Sequence, residues 1–223
     1  MKEILKKVRK YEIEIRKYLE TNKPIVIDVE AKKDDGSIAV PLLFNAGKHL
    51  LTEVFGQGDQ QVALDYLLSA WKKGGGQYGF ENHWVAEYNG EVTGLVSCWH
   101  DRLPENFDRE TLSSIVEHYG IDDALEIVMR SQQYLAVLEA PLFTELGIGH
   151  LAVSPDARRQ GTGSALIEFM EVKARAMKKN ALVLNCEIAN EGAIAFYQRL
   201  GFGEHRTNDQ FVQMIKALHI ETP

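Results

Sequence analysis

The chain has 223 residues, 45% hydrophobic and 26% charged, the balance of an ordinary globular protein long enough for one sizeable domain. A formal net charge of −7 excludes the basic face that nonspecific nucleic-acid binding needs, and no apolar run is long enough to span a bilayer. Two cysteines, Cys98 and Cys186, in apolar runs read as buried free thiols, and no histidine has metal-ligand spacing, so no metal is expected.

Met1-Lys2-Glu3-Ile4-Leu5-Lys6-Lys7 lacks a signal-peptide core, and the expected compartment is the cytoplasm. Residues 2–20 predict a helix, because Ile4, Val8, Tyr11, Ile15 and Tyr18 form an apolar seam among Lys, Arg and Glu. That seam fits docking on its own domain or a homodimer contact. Asn22-Lys23-Pro24 breaks it, and Ile25-Val26-Ile27-Asp28-Val29 reads as a first strand. Asp34-Asp35-Gly36 reads as a turn before two helices, near residues 42–55 and 60–72, and Gly74-Gly75-Gly76 as a flexible break. Residues 84–88 and 91–98 flank Asn89-Gly90, a pair that tolerates the positive φ of a tight hairpin.

Residues 103–140 carry two more helices. Asp108 caps the first, which Gly120 stops; Asp122 caps the second, which runs to about Glu139 before Pro141. His150-Leu151-Ala152-Val153 is then a strand and Ser154-Pro155-Asp156-Ala157 a turn. Arg158-Arg159-Gln160-Gly161-Thr162-Gly163-Ser164 follows and opens a helix over residues 165–178. Glycines let the backbone approach a ligand, and the first helical N–H groups point outward at the positive end of the macrodipole. With two arginines beside it, the loop suits a phosphate. It is not a P-loop, which needs Lys before Ser or Thr, and it lacks the third glycine of a dinucleotide fingerprint. Leu182-Val183-Leu184-Asn185-Cys186-Glu187-Ile188 reads as a strand. Asn190 caps a helix with Ala193, Phe196, Tyr197 and Leu200 on one apolar face, and Gly201 stops it. Residues 202–206 and 211–217 form a closing hairpin around Asn208-Asp209.

These motifs in this order resemble the GNAT acetyltransferase superfamily, which moves acyl groups from acyl-CoA to amines. The family's loop, Arg/Gln-x-x-Gly-x-Gly/Ala, matches Arg158 through Gly163. Its late pattern, Asn-x-x-Ala-x-x-Phe/Leu-Tyr-x-x-x-Gly-Phe, matches Asn190 through Phe202. The close resemblance covers residues 143–203 and a looser one reaches back to about residue 82. It implies an α/β (α+β) fold, with a mixed, mostly antiparallel sheet of about six or seven strands flanked by helices. One domain would span residues 1–223, with residues 1–22 as a helical extension. The Asn89-Gly90 hairpin would supply the second and third strands, and residues 103–140 would be a helical insertion before the fourth.

The resemblance also implies acetyl-CoA as co-substrate. Main-chain groups of Leu151 and Val153 would hold the pantetheine, an N–H of Ala152 or Val153 would polarise the carbonyl, and the N–H groups of Arg159, Gln160, Gly161, Thr162, Gly163 and Ser164 would take the pyrophosphate beside Arg158, with Asn190 and Tyr197 completing the site. Tyr197 would be the acid that assists the leaving thiolate. For the base, alternation along a strand puts Glu145 on one face with Gly147, Gly149 and Leu151, and the glycines suggest open space there. Glu145 is the first candidate. His150 is the second, on the other face unless a bulge intervenes; Glu87 and His100 follow. The expected activity is acetyl transfer to a small-molecule primary amine, with no nucleic-acid or membrane partner. A protein amine as acceptor, or a non-catalytic acyl-CoA-binding regulatory domain, are the alternatives. The insertion is read as a wall of the acceptor pocket.

Overall fold

The computed structural model describes residues 29–218. The helix expected over residues 2–20, and most of the strand ending at Val29, lie outside the described residues. Seven strands form one sheet in the order β1-β2-β3-β4-β5-β7-β6. They are β1 (Val29–Glu30), β2 (His83–Tyr88), β3 (Glu91–Trp99), β4 (Glu145–Val153), β5 (Ala181–Glu187), β6 (Gly203–Thr207) and β7 (Phe211–Ala217). All neighbours pair antiparallel except β4 and β5, which run parallel.

On one face lie α1 (Gly36–Ala46), α2 (Lys48–Gly56), α3 (Gln60–Lys73), α4 (Phe107–Tyr119) and α5 (Ile121–Leu135), over Val85, Val92 and Leu95. On the other lie α6 (Thr162–Ala176) and α7 (Glu191–Arg199), over Val96, Leu146, Leu182 and Met214. The alternation of β3 produces both cores at once: Leu95 faces the first and Val96 the second.

The Asn89-Gly90 hairpin forms as expected, with φ of 52° and 81° at its two turn residues. The closing hairpin and the Asn190 cap also form, the Asn190 side chain accepting the Ala193 N–H at 3.1 Å.

Three expectations need correction. The first expected helix is two, α1 and α2, broken at Gly47, and α1 begins at Gly36 and runs through Pro41. Pro inside a helix is unfavourable by about 3 kcal/mol, but α1 buries Ala39, Val40, Leu42, Leu43 and Phe44, which outweighs it. The triglycine is no flexible break: a Cβ on Gly76 would fall 2.7 Å from the Thr111 nitrogen, and one on Gly75 2.0 Å from a Glu110 carboxylate oxygen. It is a tight packing turn against α4. In the insertion, α4 is capped at Asn106 and α5 at Gly120, ahead of Asp108 and Asp122, which sit in the first turns where carboxylates favour the macrodipole. Its Phe107, Ile115, Ala124 and Ile127 are buried, so much of the insertion is core.

Candidate active site

The parallel pair β4–β5 holds together for only three residue pairs, Glu145 with Ala181, Leu146 with Leu182 and Gly147 with Val183. Beyond Gly147 the strands part. A cleft of about 1690 Å³ opens between them, lined by β4 from Gly147 to Val153 and by β5 from Val183 to Glu187. Leu151, Ala152 and Val153 therefore present to it a main-chain edge that no strand among the described residues pairs.

At one end stands the Arg/Gly loop. A 3-10 turn over Pro155–Ala157 leads in, and the Gln160 side-chain amide donates to the Asp156 carbonyl at 2.7 Å. Arg159 and Gly161 take positive φ, 62° and 93°. The first hydrogen bond into α6 runs from the Ala165 N–H to the Gly161 carbonyl at 3.0 Å. Among the described residues, the N–H groups of Arg159 through Ser164 have no acceptor, the state that an anion completes. The two glycines have different duties. Gly161 supplies the turn, while a Cβ on Gly163 would meet the Phe196 ring at 3.1 Å, so Gly163 lets α6 close on α7. Arg158, Arg159 and Gly163 line the cleft. Gln160, Gly161, Thr162 and Ser164 do not, although their main-chain N–H groups lack an acceptor among the described residues; the Thr162 side chain is buried in the core.

The opposite wall is α7. Asn190 and Tyr197 both line the cleft. Tyr197 is buried, edge-on to Phe196 and Phe202 at 5.1 and 5.6 Å, and its hydroxyl bonds to none of the described residues. Burial pushes its phenol well above the usual value, and nearby Cys186 adds to the rise. Both cysteines are buried free thiols, each pushed up to about 11 by burial.

The candidate bases sort differently from the sequence expectation. Glu145 does not line the cleft; it is buried, and its carboxylate accepts the Leu142 N–H at 2.8 Å. Glu87 and His100 also lie outside the lining. Nor do the glycines of β4 mark open space. A Cβ on Gly149 would sit 2.4 Å from the Trp99 ring nitrogen and one on Gly147 3.1 Å from Pro141, so both make room for packed side chains.

A bulge accounts for the rest. Val96 pairs with Leu151 and Cys98 with Ile148, so Ser97 alone faces both Gly149 and His150. The extra residue reverses the alternation, leaving Leu151 on the α6–α7 face and His150 on the α1–α5 face, lining the cleft. There His150 meets Tyr78 at 5.9 Å and His83 at 6.1 Å between ring centres. Burial, then the charge His83 would carry, holds His150 down to about 3; burial holds His83 down to about 4. His83, Ser97, Tyr78 and Trp99 were not singled out from the sequence, because only the bulge and the sheet bring them together.

The far side is closed by residues 135–141. Leu135, Leu138, Glu139, Ala140 and Pro141 line the cleft. The segment is pinned from outside: the Asn185 side chain donates to the Glu139 carbonyl at 2.9 Å, Arg206 pairs with the Glu139 carboxylate at 3.0 Å, and Asn208 donates to the Val137 carbonyl at 2.7 Å.

The profile of the acetyltransferase (GNAT) family matches residues 48–202, more than half of the chain. The chain belongs to the GNAT acetyltransferase family. An uncharacterised N-acetyltransferase of Methanocaldococcus jannaschii is 35% identical over 71 residues, 32% of this chain and 31% of that one. The [ribosomal protein bS18]-alanine N-acetyltransferase of Escherichia coli strain K12 is 39% identical over 66 residues, 30% of this chain and 40% of that one. The chain thus spans less than half the length of these curated relatives. A crystal structure described as an acetyltransferase superposes with a TM-score of 0.64 at 24% identity, covering 85% of this chain and 98% of its own, which shows a shared fold. No helix among the described residues is long and apolar enough to cross a membrane.

Proposed function

We propose that this chain transfers an acetyl group from acetyl-CoA to a primary amine of a small molecule. The observation that carries this reading is the parted β4–β5 pair, with unpartnered amides at one end and a buried phenol on its wall. Family membership implies acetyl-CoA, and the loop fits its pyrophosphate: the donors are free, the N-terminus of α6 faces out, and Arg158 and Arg159 supply charge. Charge-assisted bonds contribute about 1.5–3 kcal/mol each, so a few such amides suffice for useful affinity. The free edge of β4 suits an extended pantetheine arm, bonded as an added strand would be, with a main-chain N–H near Ala152 or Val153 left to polarise the carbonyl.

In this reading Tyr197, which lines the cleft, donates a hydrogen bond to the sulfur as negative charge grows on it. An ordinary phenol is already a weaker acid than a thiol by about 2 kcal/mol, and burial weakens Tyr197 further. Its part is therefore to stabilise the thiolate by a hydrogen bond; the proton itself comes from water.

The strap of residues 135–141 supports a small acceptor, since it adds a wall to the cleft. A protein amine is the second reading, favoured by the short match to the bS18-alanine enzyme. Incubating the protein with acetyl-CoA and separate pools of polyamines, amino sugars, amino acids and N-terminal peptides, and measuring free CoA, tests this. Release above the amine-free blank with a small amine is expected. Release with peptides alone moves the acceptor to protein, and tight acetyl-CoA binding without release under any amine refutes catalysis.

A further inference from the structure

One polar row crosses the sheet beneath the cleft. His83 on β2 pairs with Ser97 on β3, and Ser97 faces His150 on β4 at the bulge. The next positions on the same face, Val85, Leu95 and Ala152, are apolar. The Ser97 hydroxyl is fully buried, accepts the His150 main-chain N–H at 2.9 Å and lies 3.1 Å from His150 Nδ1. His83 is fully buried, and its Nδ1–H donates to the Gly79 carbonyl at 2.8 Å. That leaves His83 Nε2 a buried lone pair with no donor among the described residues. An unmatched buried acceptor costs about 1–3 kcal/mol, and an apolar row would pack the sheet without that cost. A costly polar row that ends at the cleft points to use there.

We propose that His150 takes the proton of the acceptor amine, with Ser97 and His83 as positioning residues. This rests on the acyl-transfer reading above. When His150 Nδ1–H donates to the Ser97 oxygen, the Nε2 lone pair is left free, and among the described residues Nε2 has no partner. As the amine nitrogen bonds to the thioester carbon, its proton passes to Nε2. The C–S bond then breaks, the electron pair leaves with sulfur, and sulfur gains a proton from water. The imidazolium returns its proton to water, so the proton lost by the amine balances the one gained by the thiol.

The titratable rings packed against His150 are Tyr78, neutral because burial pushes its phenol up, and His83. No carboxylate perturbs it. Burial holds His150 below the ordinary imidazole value, so the resting ring is unprotonated and its lone pair is available. Ser97 fixes the ring, and burial, with the stacked His83 second, keeps it neutral.

The test combines His150→Gln, His83→Asn and the wild type. Glutamine keeps a polar side chain but cannot take a proton. Using an amine that releases CoA in the assay above, His150→Gln should lower kcat at least thirtyfold, with acetyl-CoA affinity by calorimetry within twofold of wild type. Asn at 83 keeps a donor for the Gly79 carbonyl and removes the second imidazole. Its kcat should show an acid limb moved upward from that of the wild type but short of the ordinary imidazole value, because burial, the larger cause, remains. Nitrogen-15 imidazole spectra of the free wild type should show Nε2 of His150 unprotonated near neutral pH, a readout that needs no acceptor. An undiminished kcat in His150→Gln, an unmoved acid limb in His83→Asn, or a proton resting on Nε2 would each overturn the proposal. A wild type that binds no acetyl-CoA would instead overturn the acyl-transfer reading on which it rests.

Discussion

Replacing His83 by Asn should flatten the acid side of the stability curve. His83 is fully buried, and burial lowers its imidazole from 6.5 to about 4. In the unfolded chain the same ring titrates near 6.5, so below that pH the unfolded chain holds a proton that the folded chain refuses. The stability His83 supplies is complete above about 6.5 and is lost as pH falls from there toward about 4. Between about pH 7.5 and about pH 5.0, linkage puts the loss from this ring near 2 kcal/mol. Asn preserves an N–H for the Gly79 carbonyl and does not titrate, so its protein should lack that slope. Urea unfolding of both proteins at both pH values measures it, because packing lost on substitution is common to the two conditions and cancels. Equal losses on acidification would refute the reasoning.

Three further outcomes follow from the site. Tyr197→Phe should lower kcat tenfold or more with little change in KM for acetyl-CoA, by steady-state kinetics, because the hydroxyl acts only once sulfur carries charge. Gly161→Ala forces a side chain into a φ of 93°. A penalty of about 1–2 kcal/mol should appear as five- to thirtyfold weaker acetyl-CoA binding by calorimetry, if the loop relaxes to relieve it. Glu145→Gln keeps an oxygen for the Leu142 N–H, so kcat should stay within twofold of wild type; a large fall would return the carboxylate to the mechanism.

The cleft's loop and its α7 wall were legible in the sequence because both are built by local backbone. Arg158 through Ser164 and Asn190 through Tyr197 are each contiguous, their glycines and caps act within a turn, and both segments stand beside the cleft. The Asn89-Gly90 hairpin was legible for the same reason. The His150 side of the cleft was legible only on the condition of a bulge. Strict alternation carried Glu145, Gly147, Gly149 and Leu151 on one face, and one extra residue opposite Ser97 reversed the count. A bulge has no fixed residue code, so parity arguments fail across it. The row of His83, Ser97 and His150 joins three strands, and its members are far apart in the chain. The early start of α1 was not legible for a different reason: Pro41 carries a real local penalty, and the burial that offsets it comes from tertiary packing.

The seam between β4 and β5 has consequences beyond chemistry. Four strands on one side and three on the other are stitched by three rungs, and the missing rungs are where a thioester arm would lie. A bound co-substrate would therefore act as mortar between two half-sheets, and saturating it should tighten amide exchange along both lips of the notch.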